Sequence, residues 1–109
     1  MAAFQEASPS QIKLRLDAGE RMRLLDVRER GEWILCRIAG AQLLPLSEIR
    51  AWQERLPRDG GATVLYCHHG VRSRWACHYL ASAGIEGLVN LEGGIDRWAQ
   101  EVDPAVPRY

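Results

Sequence analysis

Thr63-Val64-Leu65-Tyr66-Cys67-His68-His69-Gly70-Val71-Arg72-Ser73-Arg74 decides the fold. It opens with a short apolar run, β-branched at its start, which is the pattern of a buried strand. A polar stretch, residues 68–74, follows, and Ala76, Leu80 and Ala83 then mark a helix ending at Gly84. Outward from this unit the alternation repeats. Downstream, Gly87 to Leu91 is another short strand, and Gly93-Gly94 turns the chain into a last helix with Ile95, Trp98 and Ala99 as buried candidates. Upstream, Met22 to Val27 suits a buried strand and Ala41 to Pro45 a weaker one. Ile49, Trp52 and Leu56 fall at helical spacing before Pro57 and Asp59-Gly60-Gly61 stop the run. Ser8-Pro9-Ser10-Gln11 starts the first helix: Ser8 caps, Pro9 suits the first turn and Gln11 completes a capping box. Ile12 and Leu16 share a face of that helix, and Gly19 is its stop. Strands separated by helices imply right-handed crossovers and a mostly parallel sheet covered on both faces, an α/β fold. Chemistry in such sheets sits at the C-terminal strand ends, and Cys67 occupies one of them.

The chain has 109 residues, enough for one domain spanning 1–109, with residues 102–109, which hold two prolines, expected to be an irregular tail. Fourteen basic residues cancel fourteen acidic ones, so no basic footprint points to nucleic acid or an anionic membrane surface. No apolar run approaches the roughly 18 residues of a membrane span. Met1 to Glu6 carries neither the basic nor the apolar part of a secretory leader, and three cysteines without paired spacing argue against a disulfide scaffold. A soluble, cytoplasmic protein is the expectation.

A loop curled between Cys67 and Arg72 aims successive backbone N–H groups inward as an anion nest. The start of the following helix adds positive potential, typically about 0.3–1 kcal/mol for an exposed charge, and Arg72 supplies a full cation. All three favour thiolate over thiol. Gly70 permits a turn or close approach that a Cβ would block. The residue types therefore describe an activated sulfur nucleophile, Cys67, cradled by residues His68, His69, Gly70, Val71 and Arg72. The plain alternative is a cysteine that only ends a buried strand.

The chain resembles single-domain rhodaneses, the sulfurtransferase homology domain, over nearly its whole length. Leu25-Asp26-Val27-Arg28 with Glu32-Trp33 looks like the family's first motif and Ile38-Ala39-Gly40-Ala41 like its second. Tyr66-Cys67 through Gly70, Arg72 and Ser73 is similar to the active loop, and Leu91-Glu92-Gly93-Gly94-Ile95 with Trp98 to the closing motif. The resemblance implies a rhodanese-like five-stranded parallel sheet flanked by helices, a persulfide on Cys67, and neither metal nor organic cofactor. It also implies thiosulfate or a protein persulfide as donor and a small nucleophile, thiol or protein as acceptor. Related dual-specificity phosphatases carry five residues between Cys and Arg. Here four intervene, a tighter ring that suits one sulfur better than a phosphoryl group and sets phosphatase or arsenate-reductase chemistry behind sulfur transfer. A non-turnover persulfide carrier feeding a biosynthetic partner is the other alternative. Where large two-domain relatives have cationic side chains after the nucleophile, this chain has His68 and His69, and the usual second-motif histidine is Arg37.

Other residues have plainer readings. His68, His69 and His78 with Cys67 and Cys77 lack metal-ligand spacing. Cys77 is read as helix packing, and Cys36 as at most a resolving thiol. Asp26 and Arg28 are read as ordering neighbouring loops. Trp33, Trp52 and Trp98 are read as packing and Trp75 as rim, while the tail is expected to pack on its own domain rather than dock a partner.

Overall fold

The computed structural model describes residues 3–109; Met1 and Ala2, the start of the stretch read for a leader, lie outside the described residues. Five parallel strands form one sheet in the order β1-β5-β4-β2-β3. They are β1 (Gln5–Ala7), β2 (Met22–Asp26), β3 (Gln42–Leu43), β4 (Ala62–Tyr66) and β5 (Leu88–Leu91). The helices are α1 (Pro9–Asp17), α2 (Arg30–Leu35), α3 (Ile49–Trp52), α4 (Val71–Ser82) and α5 (Gly94–Glu101). Alternation along β4 splits the core. Val64 and Tyr66 face a layer with Ile12 of α1 and Ile95, Trp98 and Ala99 of α5. Leu65 and Cys67 face the other layer, with Ile49 and Trp52 of α3 and Ala76, Cys77 and Leu80 of α4. No described helix is long and apolar enough to cross a membrane.

Helix α1 begins as its sequence dictates: Ser8 Oγ accepts from Gln11 N, and the Gln11 side chain accepts from Ser8 N at 2.8 Å. Two elements were not legible in the apolar pattern. Strand β1 exists because Gln5, Glu6 and Ala7 pair with Val89, Asn90 and Leu91 of β5. Helix α2 buries no residue and is held by the reciprocal Glu29–Glu32 capping box. The helix expected through Leu56 is a single α-helical turn, Ile49–Trp52, between 3₁₀ turns at Leu46–Glu48 and Gln53–Arg55. Helix α4 starts at Val71, inside the stretch read as loop, so that loop is only three residues long, His68 to Gly70. β4 is the central strand, with β5 and β2 on either side, and its C-terminal end delivers Cys67 to the middle of the sheet edge.

Candidate active site

Cys67 is 1% exposed, one residue beyond β4. Three donors among the described residues reach its Sγ: Gly70 N at 3.1 Å, Ser73 N at 3.4 Å and Ser73 Oγ at 3.4 Å. The loop is turned inside out by what holds its carbonyls. Ile95 N, at the start of α5, donates to Cys67 O (2.9 Å), and Asp96 N donates to His68 O (3.1 Å). Asn90 Nδ2 donates to Gly70 O at 3.2 Å. With the carbonyls drawn outward, the Gly70 and Ser73 amides face the sulfur. Two glycines make this possible. Gly70 caps α4 with φ of +96°, and Gly94 (φ +61°) sits so close to Cys67 O and His68 O that no Cβ fits.

Ser73 and Asn90 extend the site. Both are fully buried polar residues. Asn90 Nδ2 also donates to Glu6 Oε1 (2.9 Å), which fixes the amide so that Oδ1 faces Ser73 Oγ at 2.5 Å. A hydroxyl has one proton, so Ser73 donates either to Asn90 or to the sulfur. As a thiol, Cys67 leaves that proton with Asn90; as a thiolate, it competes for it. Asn90 was not identified from sequence, although a polar residue inside Leu88-Val89-Asn90-Leu91 is itself a signal of a buried partner.

Arg72 stands at the helix start, as the sequence indicated, but its guanidinium is not bonded to the sulfur. It makes a bidentate pair with Glu32 of α2, at 2.7 and 2.8 Å. This pair holds the Glu32 carboxyl at about 2, well below the usual range, and raises Arg72. Arg72 therefore reaches the site as part of a neutralised pair. Of the residues expected to cradle the sulfur, Gly70 bonds it directly, while the Val71 side chain is 71% exposed. His68 is stacked between His69 and Tyr109, each ring centroid 3.8 Å away. Burial, first, and the neighbouring His69 lower the His68 pKa, which disfavours its charged form.

Around the site, Arg28 and Asp26 are fully buried and bonded to each other, and Arg28 also donates to Cys36 O. This is the loop-ordering role expected of them. Burial pushes the Cys77 thiol up to about 12, in keeping with packing. Cys36 belongs to the core layer on the opposite face of the sheet from Cys67. Trp52 and Trp98 are buried, Trp33 is half-buried beneath the Arg37 guanidinium, and Trp75 is exposed and stacked on Tyr79. His68, His69 and Asp96 bring possible metal ligands within 4.8 Å of one another. The Asp96 oxygens are already engaged by Arg108 (2.8 and 3.3 Å) and Gln100 (3.1 Å), a poor starting point for coordination.

The family model of the rhodanese-like domain matches residues 8–101. The chain belongs to the rhodanese-like family. An Allochromatium vinosum protein named sulfurtransferase is 35% identical over 101 residues, covering 93% of this chain and 94% of that protein. A Mycobacterium tuberculosis protein named "Probable adenylyltransferase/sulfurtransferase MoeZ" is 40% identical over 104 residues. The match covers 94% of this chain but only 26% of that relative. Among solved structures, a Thermoplasma volcanium rhodanese-related protein superposes with a TM-score of 0.82 at 32% identity, covering 97% of this chain and all of that one. The rhodanese-like fold and the sulfurtransferase family expected from the four sequence motifs are thus both found.

Proposed function

We propose that this chain is a rhodanese-type sulfurtransferase that moves a sulfane sulfur from thiosulfate or a persulfide donor to a thiophilic acceptor through a Cys67 persulfide. The observation that carries it is Cys67 Sγ held at the centre of a three-residue loop by the amides of Gly70 and Ser73. The thiolate attacks the outer sulfur of the donor. The donor's S–S bond breaks with its electron pair, releasing sulfite or a donor thiolate, and Cys67–S–S⁻ forms. The terminal sulfur then rests beside the Gly70 and Ser73 amides at the start of α4, with the other amides of the 68–72 segment closing round it. An acceptor nucleophile takes that sulfur and returns the Cys67 thiolate. No general base is needed once the thiolate exists.

Because Glu32 already neutralises Arg72, the site has less free positive charge to offer a dianion such as thiosulfate, which supports a persulfide donor as the stronger of the two. Three free thiols suit a reducing, cytoplasmic setting. A persulfide carrier serving a protein partner is the second reading. The observation favouring it is that a relative matched over 26% of its length is also named adenylyltransferase. Steady-state thiocyanate formation from thiosulfate and cyanide tests the first reading. Parallel double-reciprocal lines, abolished in Cys67→Ser, are expected. Turnover that survives Cys67→Ser would overturn it, and loading from a protein persulfide without small-molecule turnover would select the carrier.

A further inference from the structure

Residues 102–109 form no regular element, yet they are anchored at three points. Val106 is buried in the core layer with Trp98, and Arg108 Nε donates to Asp96 Oδ1 at 2.8 Å. Tyr109 then turns onto the active loop. Its ring lies 3.8 Å from the His68 ring with 7° between their planes. Its hydroxyl accepts from Arg28 Nη1 (2.8 Å) and donates to Glu32 Oε2 (2.7 Å). Glu32 is the carboxylate that grips Arg72.

One side chain thus touches the segment just after Cys67 directly, through His68, and the end of the 68–72 segment through Glu32. A tyrosine placed only to fill space would be enclosed and indifferent to its hydroxyl. Tyr109 remains 41% exposed, and its hydroxyl has one specific donor and one specific acceptor, both ionised. From this geometry we infer that Tyr109 is a positioning residue for the Cys67 loop: it clamps both ends of residues 68–72 so that the Gly70 and Ser73 amides stay aimed at the sulfur during transfer. The inference rests on the persulfide reading for its catalytic consequence, but the clamp is a physical property of the loop.

Two variants separate its components. Tyr109→Phe keeps the stack on His68 and removes both hydrogen bonds; Tyr109→Ala removes everything. Sulfur transfer is followed with kcat and KM resolved, and backbone amide hydrogen exchange is followed in the native full chain. Loss of the clamp is expected to lower kcat about threefold in Tyr109→Phe and about tenfold in Tyr109→Ala with KM little changed, because misaimed amides affect the transition state more than donor binding. Exchange at residues 68–73 speeds up in the same order, while the β4 amides keep their protection. Uniformly faster exchange across the chain would mean a merely structural role and would overturn the inference. So would a rise in kcat, which would make the tail a lid, or wild-type exchange at residues 68–73 in Tyr109→Ala. Should the wild type transfer no sulfur, the persulfide reading fails, and the exchange pattern alone still decides the clamp.

Discussion

Gly94→Ala is the perturbation that most directly links a remote backbone position to the active loop. A Cβ at Gly94 would lie 2.5 Å from His68 O and 2.6 Å from His68 C, and nearer still to Cys67 O. A comfortable C···O contact is about 3.3 Å, so the loop backbone must retreat by roughly 0.8 Å. These are backbone atoms and cannot rotate away. Overpacking of this kind costs about 1–3 kcal/mol, and φ of +61° adds about 1–2 kcal/mol for a residue with a Cβ. The expected loss of stability is therefore about 2–5 kcal/mol, a large share of a typical small domain's total. The retreat also stretches the bonds from Ile95 N and Asp96 N to the loop carbonyls. A misplacement near 1 Å at a reacting centre reduces rate on the order of 100-fold. Urea denaturation and persulfide loading of the folded fraction read the two effects separately. Gly31→Ala is the control. It lies in α2 with negative φ and nothing within 4 Å of the added carbon, and it should be neutral or stabilising by up to about 1 kcal/mol. Wild-type stability and loading in Gly94→Ala would refute the account of how α5 shapes the loop.

Ser73→Ala removes one donor to Sγ and leaves Asn90 Oδ1 unpartnered. Loading of Cys67 should slow about tenfold, as expected for one hydrogen bond to a charged group; an unchanged rate would show that Ser73 serves Asn90 alone. In Glu32→Gln the stability gap to wild type should depend on pH. The folded carboxyl titrates at about 2 against an ordinary 4.5, so its contribution is complete above about 4.5 and vanishes as pH falls towards 2. The shift converts to at most about 3 kcal/mol. With Arg72 38% exposed, screening leaves about 1 kcal/mol. Urea midpoints for both proteins at pH 7 and pH 2.5 check this, and a gap of equal size at both would contradict it. Native-state alkylation at pH 8 should leave Cys77 unmodified, since burial holds its thiol at about 12; peptide mapping of the labelled protein reads this directly.

The parts legible in the sequence are those coded locally. An apolar run with a β-branched start marks β4, a capping box marks α1, and Gly70 between a strand and a helix marks the loop. Strand β1 was not legible, because Gln5-Glu6-Ala7 has no apolar alternation and is a strand only through β5. Helix α2 escaped for a related reason: it buries no residue fully, and its only local signature is the Glu29–Glu32 box. The same division runs through the site. Cys67 and Gly70 declared themselves by residue type and spacing. The partners that define their surroundings join elements distant in sequence: Asn90 from β5, Glu32 from α2 and Tyr109 from the tail. No period in the chain encodes such contacts. Arg72 shows the consequence, since its position was legible but the carboxylate that absorbs its charge was not.

The most direct test is intact-protein mass spectrometry after exposure to thiosulfate or a persulfide donor, before and after cyanide, with Cys67→Ser in parallel. The mechanism requires that wild type gains one sulfur atom, that cyanide removes it, and that Cys67→Ser gains none. A wild type that gains no sulfur from either donor, or a Cys67→Ser protein that gains it equally, would contradict the assignment of Cys67 as the sulfur-bearing nucleophile.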